Sequence, residues 1–147
     1  MKKIAYRGAI YIPAEVEDYH IQHRAPRRDG YSAPLWRLTD LYPDDVYSAR
    51  AVQYYGDRTV CDPMSIAIVQ AARDKPDMLI SIYRAMPPVS GETDGINPGD
   101  WVTICRPYAV QHGRGLRGKY KIVTMKAKAS DLFTDGNSIH EWGYDPL

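Results

Sequence analysis

The spacing of hydrophobic residues predicts helices in the first half of the chain and strands in the second. Residues 43–55 begin with Pro-Asp-Asp and end before Gly56, a pattern typical of one helix with a proline in its first turn. Asp62 followed by proline is a capping signal, and the strongly apolar run behind it predicts a second helix that stops before Pro76. Ahead of both helices we expect a short strand or extended arm at 4–12, a helix from about Pro13 and an ordered loop at 20–41.

Strand signals dominate the second half. The segment 78–86 is rich in β-branched residues and is bounded by prolines, which favours a strand. The apolar phase of a later segment, 120–129, slips between Ile122 and Val123, so we expect either a bulge or burial on both faces there. Helices followed by strands predict an α+β fold rather than a doubly wound parallel sheet. The other expected elements are strands at 101–105 and 139–144 and a short helix at 107–113.

Length and composition indicate one globular domain. The chain has 147 residues, of which 44% are hydrophobic and 25% charged, so it can bury a core of its own. We expect a single domain with a mostly helical and looped part at 1–76 and a mostly strand part at 77–147. The net charge of +1 says little about partners.

Cysteine usage and hydropathy bear on the compartment. Cys61 and Cys105 lack metal-motif spacing and predict free thiols in a reducing cytosol. No apolar run reaches the roughly 18 residues that a membrane helix needs, and the N-terminus has no long apolar segment of a secretory signal. We therefore expect a cytoplasmic protein that does not bind membranes.

Several common kinds of site are not favoured. No glycine-rich dinucleotide fingerprint follows a predicted strand, so a nicotinamide cofactor would need a different kind of site. The four histidines lack the helical spacing of metal ligands, and we expect no metal. The basic residues at 114–128 alternate with apolar ones, which is more typical of a solvated strand face than of a nucleic-acid surface.

Three side chains on separate predicted strands form the candidate site. Arg84 lies near the end of one strand, and although a strand-end arginine is often simply exposed, its planar guanidinium suits a phosphate. Thr103 places a hydroxyl on the next strand, where a β-branched residue is also unremarkable. Glu141 lies beside Trp142 in the last strand, and the alternative to a site there is a solvated surface glutamate. A fixed carboxylate can stabilise positive charge on a reacting sugar and help to deprotonate an acceptor.

These residues stand in motifs that resemble a known family. The motifs are Ile82-Tyr83-Arg84-Ala85, Gly99-Asp100-Trp101-Val102-Thr103, Tyr108-Ala109, His112-Gly113 and Glu141. In order and local context they resemble the Arg–Ser/Thr–Glu class of ADP-ribosyltransferases, in the small form found in phage and mobile-element polyvalent proteins. The likeness extends over roughly residues 20–146 and includes His23-Arg24-Ala25-Pro26, to which no role is assigned.

The resemblance implies a fold, a cofactor and a role for each residue. It implies two small packed antiparallel sheets with NAD, used as a substrate, in the cleft between them. Arg84 would bind the phosphates, Thr103 would order the ribose and Glu141 would stabilise the transition state. Tyr108 and Tyr83 would lie near the nicotinamide, although helix and core packing is the alternative for both.

The implied activity is mono-ADP-ribosylation. ADP-ribose would pass from NAD to a macromolecular acceptor, more readily a host protein than a nucleic acid, in the cytoplasm of a host cell. Ile139 stands where arginine-modifying relatives carry a carboxylate or glutamine, which disfavours an arginine acceptor. Ile139 and the pair Ile104-Cys105, in place of the family's Ser-Thr-Ser pattern, leave a second hypothesis open. In it the chain is a catalytically inactive binding module that blocks a host protein.

Overall fold

Three α-helices and six strands form the regular structure of residues 24–87, 95–116 and 118–147, which this computed structural model describes. The predicted arm at 4–12 and the helix from Pro13 lie outside the described residues. The helices are a 3₁₀ helix at Asp44–Tyr47, α1 at Ala51–Tyr55, α2 at Asp62–Ala71, α3 at Arg106–Arg114 and a 3₁₀ helix at Ala129–Asp131. The strands are β1 at Ala33–Pro34, β2 at Leu79–Met86, β3 at Trp101–Thr103, β4 at Lys121–Lys128, β5 at Leu132–Thr134 and β6 at Glu141–Tyr144.

The six strands form one hydrogen-bonded sheet in the order β1-β5-β6-β3-β2-β4, with every neighbouring pair antiparallel. The predicted α+β class is confirmed. The two separate sheets that the resemblance implies are not found among the described residues. Instead, β2 and β3 are joined by the single registered pair Tyr83 and Thr103. That pair connects a four-strand part (β1, β5, β6 and β3) to a two-strand part (β2 and β4).

The core lies between one face of the sheet and the segment that contains α1 and α2. Strand β2 shows the expected alternation, because Ile80 and Ile82 are buried while Leu79 is exposed. Trp142 is fully buried and donates its indole N–H to the carbonyl of Ile139 at 3.0 Å. Other fully buried side chains in the core are Leu35, Leu38, Val46, Val69, Ile104 and Leu132.

The single helix predicted at 43–55 is wrong, because the chain is extended at Ser48 between the first 3₁₀ helix and α1. The Ser48 hydroxyl donates to the carbonyl of Asp45 at 2.7 Å and accepts from the amide of Arg50 at 3.2 Å. A serine that bonds the nearby backbone competes with helical hydrogen bonds. The side chain of Gln70 on α2 then satisfies the carbonyls of Val46 and Ser48.

Most later elements agree with the sequence, with shifted ends. Helix α2 and strand β2 are confirmed, although Cys61 rather than Asp62 is the N-cap of α2. The register of β4 against β2 is continuous, so there is no bulge, and partial burial of both Ile122 and Val123 explains the shifted apolar phase. Helix α3 continues to Arg114, into a segment that is rich in glycine.

The prediction of two free thiols is wrong, because Cys61 and Cys105 form a disulfide. The cysteines are 44 residues apart, and each is the N-cap of a helix, Cys61 of α2 and Cys105 of α3. The starts of the two helices lie close together, with the Cα atoms of the cysteines 6.0 Å apart, and no local spacing in the sequence predicts such a contact. Disulfides persist mainly in oxidising environments, so the cysteines no longer support a reducing cytosol. A cytoplasmic location stays a prediction.

Removing this disulfide should lower the stability of the fold. Closing a loop of 44 residues restricts the unfolded chain, which corresponds to about 4 kcal/mol of stabilisation. We expect the double variant Cys61→Ser/Cys105→Ser to melt about 10 °C below the oxidised wild type, as measured by circular dichroism. A phosphine reductant should lower the melting temperature of the wild type similarly and leave the double variant unchanged. Equal melting temperatures for all samples would contradict the disulfide.

Candidate functional site

Three of the predicted site residues lie in one row across the sheet. Tyr83 on β2 pairs with Thr103 on β3, and Thr103 pairs with Glu141 on β6. Directly opposed residues of antiparallel strands project from the same face, so the three side chains share one face at the point where the two parts of the sheet meet. Thr103 is buried, whereas Tyr83 and Glu141 are partly exposed.

Helix α3 adds a fourth predicted residue to this row. The Tyr108 hydroxyl donates to Glu141 Oε2 at 2.5 Å, so the carboxylate is held in one orientation. The position of Tyr108 follows from the local chain, because β3 leads within three residues into α3. Thr103 Oγ1 accepts the amide hydrogen of Cys105 at 3.2 Å, which fixes the turn between strand and helix.

The ring of Tyr108 is already in contact with two imidazoles. Its centroid lies 5.5 Å from that of His112 in a stacked arrangement, and 5.3 Å from that of His140 at an interplanar angle of 32°. Spacings of this size are those of favourable aromatic pairs. The ring of Tyr108 thus packs against the two imidazoles, while its hydroxyl bonds the carboxylate of Glu141.

Arg84 stands apart from this row. It follows Tyr83 on β2, and successive strand residues point to opposite faces, so it starts on the other face of the sheet from Glu141. Its guanidinium forms an ion pair with Asp100 Oδ2 at 2.6 Å, with side chains that are 36% and 21% exposed. The same Asp100 oxygen accepts the amide hydrogen of Asn97 at 2.8 Å. The structure thus brings Tyr83, Thr103, Tyr108 and Glu141 together and pairs Arg84 elsewhere.

A buried polar network, which the sequence did not reveal, lies behind the row. His140 is fully buried, and its Nε2 lies 2.9 Å from Asp62 Oδ1 while its Nδ1 lies 2.7 Å from Ser65 Oγ. Asp62 and Ser65 are buried residues of the first turns of α2. The network therefore connects α2 to the residue immediately before Glu141.

Asp62 is the charged centre of this network. Burial alone raises the pKa of the Asp62 carboxyl, but hydrogen bonds to it outweigh burial and lower that pKa below its ordinary value. The donors are the amides of Asp57 and Thr59, the Thr59 hydroxyl and His140, at 2.9–3.1 Å. An ionised Asp62 requires a proton on Nε2 of His140.

The sequence held only a weak signal for this network. The sequence predicts Asp62 as a helix cap, yet its side chain accepts the amides of the loop before α2 rather than the first amides of the helix. His140 has no metal-ligand spacing to another histidine that would mark it in the sequence. A histidine beside the candidate carboxylate, Glu141, within an apolar final strand was the available clue.

Comparison of the chain with protein-family models, curated proteins and solved structures finds no match. Within residues 24–87, 95–116 and 118–147, no cluster of three or more His, Cys, Asp or Glu side chains could hold a metal ion. In that same part of the chain, no helix combines the length and apolar character needed to cross a membrane.

Replacing Asp62 should destabilise the fold in a pH-dependent way. Asp62→Asn places an amide donor against several buried donors, so we expect a loss of about 3 kcal/mol in unfolding free energy, measured with urea at pH 7. Asp77→Asn, at a side chain that is 86% exposed, should change stability by less than about 0.5 kcal/mol.

The pH dependence follows from the sign of the shift. Because the folded pKa of Asp62 is lowered, its stabilisation is fully present above its ordinary pKa of 3.8 and is lost as the pH falls further, through the folded value. The stability gap between wild type and Asp62→Asn should therefore narrow below about pH 4. A gap that stays constant down to pH 2 would contradict the assignment.

Proposed function

We propose that this protein is an NAD-dependent mono-ADP-ribosyltransferase, which releases nicotinamide and transfers ADP-ribose to a macromolecular acceptor. The observation that carries the proposal is the row of Tyr83, Thr103 and Glu141 across adjacent strands, with the Glu141 carboxylate oriented by Tyr108. NAD would lie where the two parts of the sheet meet, in an ADP-ribosyltransferase-like cleft.

The chemistry assigned to Glu141 is electrostatic. When the bond between the ribose C1′ and the nicotinamide nitrogen breaks, its electron pair leaves with nicotinamide and positive charge develops on the sugar. A carboxylate fixed on a strand and partly shielded from water stabilises that charge without having to reorient. The acceptor's nucleophile then bonds to C1′ and gives up its proton, for which Glu141 is the nearest proposed base.

Thr103 and Tyr83 have supporting roles in this proposal. Thr103 Oγ1 accepts the amide of Cys105, and its own hydrogen would donate to a ribose hydroxyl beside Glu141 if NAD reaches this side chain, which is 4% exposed. Tyr83 faces the same side of the sheet and is partly exposed, so its ring would form a wall next to the nicotinamide.

Arg84 binds phosphate in this proposal only by exchanging its partner. A partly exposed ion pair such as that with Asp100 is worth about 0–1 kcal/mol, whereas charge-assisted hydrogen bonds to phosphate contribute about 1.5–3 kcal/mol. Replacing Asp100 by a phosphate as the partner of Arg84 is therefore favourable in free energy. Arg84 also directly follows Tyr83, whose pair with Thr103 joins β2 to β3. Its backbone therefore lies where pairing between the two-strand and four-strand parts of the sheet ends.

A specific observation favours the second candidate, a catalytically inactive module that binds and blocks a host protein. The guanidinium of Arg84 is satisfied by Asp100, and the carboxylate of Glu141 by Tyr108, without any ligand. Ile139, at the position of the second catalytic side chain in arginine-modifying relatives, is fully buried and cannot reach an acceptor. In either case we propose a protein of phage or mobile-element type whose macromolecular partner is a host protein.

Removing the charge of Glu141 should abolish most of the activity. We expect Glu141→Gln to lower the rate of nicotinamide release from NAD by about 10²–10³-fold, because an isosteric amide cannot stabilise a developing cation. Release is measured by chromatography with a bacterial lysate as the source of acceptors. Asp77→Asn is the matched control and should retain the wild-type rate. Equal rates for wild type and Glu141→Gln would refute the catalytic role.

The partner exchange at Arg84 predicts opposite effects of two neighbouring substitutions. Asp100→Asn keeps an oxygen for the Asn97 amide but frees the guanidinium, so we expect it to tighten NAD binding by about fivefold in calorimetry. Arg84→Gln should weaken binding by at least about tenfold. If NAD binds to none of these proteins while a host protein co-purifies stoichiometrically, the blocking module is favoured instead.

A further inference from the structure

The side chain of His140, the residue before Glu141, is fixed at both of its ring nitrogens. His140 is fully buried, and both of its ring nitrogens are within hydrogen-bond distance of buried side chains, Asp62 and Ser65. A third titratable group, Asp57, faces the ring with an oxygen 3.8 Å from Nε2. The imidazole is thus fixed by α2 and by the loop that precedes it.

These contacts select one tautomer of His140. A singly protonated ring that donates its Nε2–H to the ionised Asp62 has its lone pair on Nδ1, where it accepts the hydroxyl hydrogen of Ser65. Ser65 is therefore a donor to the ring. Removing it would leave the buried Nδ1 without its hydrogen-bond partner, so that Asp62 would hold the ring through Nε2 alone.

A Ser–His–Asp set of this kind can also be a nucleophilic site, but its burial argues against that role here. Ser65 and His140 are both 0% exposed, and Asp62 is 4% exposed. A nucleophile must come within contact distance of the substrate, and the hydroxyl of Ser65 is enclosed between α2 and the start of β6. The role of these three side chains is therefore to fix neighbouring residues rather than to attack a substrate.

Two independent routes connect His140 to the carboxylate of Glu141. The first is the chain itself, since His140 immediately precedes Glu141 at the start of β6. The second passes through Tyr108, whose ring lies 5.3 Å from that of His140 and whose hydroxyl donates to Glu141 Oε2 at 2.5 Å. The buried ring of His140 thus helps to position both the backbone of Glu141 and, through Tyr108, its side-chain oxygen.

We propose that His140 is a positioning residue for Glu141, held in place by Ser65 and Asp62. This proposal rests on the proposed function, because it concerns the placement of the carboxylate beside the reacting ribose. Catalytic groups must stay within about 0.5 Å of their productive position, and a displacement of about 1 Å can cost on the order of a hundredfold in rate. Loss of the Ser65 hydrogen bond loosens the ring without touching Glu141 or Tyr108.

The test is a double-mutant cycle on nicotinamide release from NAD. We expect Ser65→Ala to lower kcat by about tenfold or more while KM changes by less than about twofold. In a Glu141→Gln background, Ser65→Ala should cause no further loss, because the carboxylate that it positions is absent. Ser81→Ala, which removes a partly exposed serine of β2 that accepts from Lys126, is the matched control and should leave kcat unchanged.

The outcomes separate this proposal from the proposed function. If Ser65→Ala lowers activity equally in both backgrounds, or only in proportion to unfolded protein, the serine has a structural role and the positioning proposal is overturned. If the wild type leaves NAD intact, the enzymatic proposal fails and the positioning role fails with it. Nitrogen-15 spectra of labelled histidines provide a separate check, since the His140 signals should report the Nε2–H tautomer in the wild type and change in Ser65→Ala but not in Ser81→Ala.

Discussion

The hydrogen bond between Asp62 and His140 is the interaction on which the surroundings of Glu141 depend. It joins the first turn of α2 to the residue before β6 at 2.9 Å, between side chains that have almost no access to water. Losing either partner would leave a buried polar group unsatisfied, at a cost of about 1–3 kcal/mol. Because Asp62 also receives the amides of Asp57 and Thr59, one carboxylate fixes a loop, a helix and a strand together.

The strand that carries Glu141 is also fixed on its other sides. On one edge, β3 pairs with it through Thr103, and on the other edge β5 pairs with it. The segment before β1 crosses over Gly143, where any side chain would collide with the backbone of Pro26. The disulfide between Cys61 and Cys105 links α2, whose side chains bond His140, to α3, which contains Tyr108. Strand pairing, the close approach of Pro26 and the disulfide thus all constrain the surroundings of the carboxylate.

The sequence predicted those parts of the fold that depend on local patterns. Helix α2, strand β2 and the α+β class follow from capping, proline placement and β-branched residues, all within short windows. The disulfide and the Asp62–Ser65–His140 network depend on contacts between distant residues, which leave no periodic trace. Similarly, the alternation along β2 predicts that Tyr83 and Arg84 face opposite ways, but only the register with Thr103 shows which of them joins Glu141.

The ion pair between Arg84 and Asp100 is the point at which the enzymatic and the blocking hypotheses diverge. In the enzymatic hypothesis, a site for a dinucleotide must carry positive charge for the phosphates. The pair of Arg84 with a partly exposed carboxylate is weak enough for a phosphate to displace. Tyr108 likewise preserves the charge of Glu141, because a neutral donor orients the carboxylate without cancelling its charge. Arg84, held by an exchangeable partner, and Glu141, held by a neutral donor, start on opposite faces of the sheet, so the enzymatic hypothesis requires one NAD molecule to reach both charges.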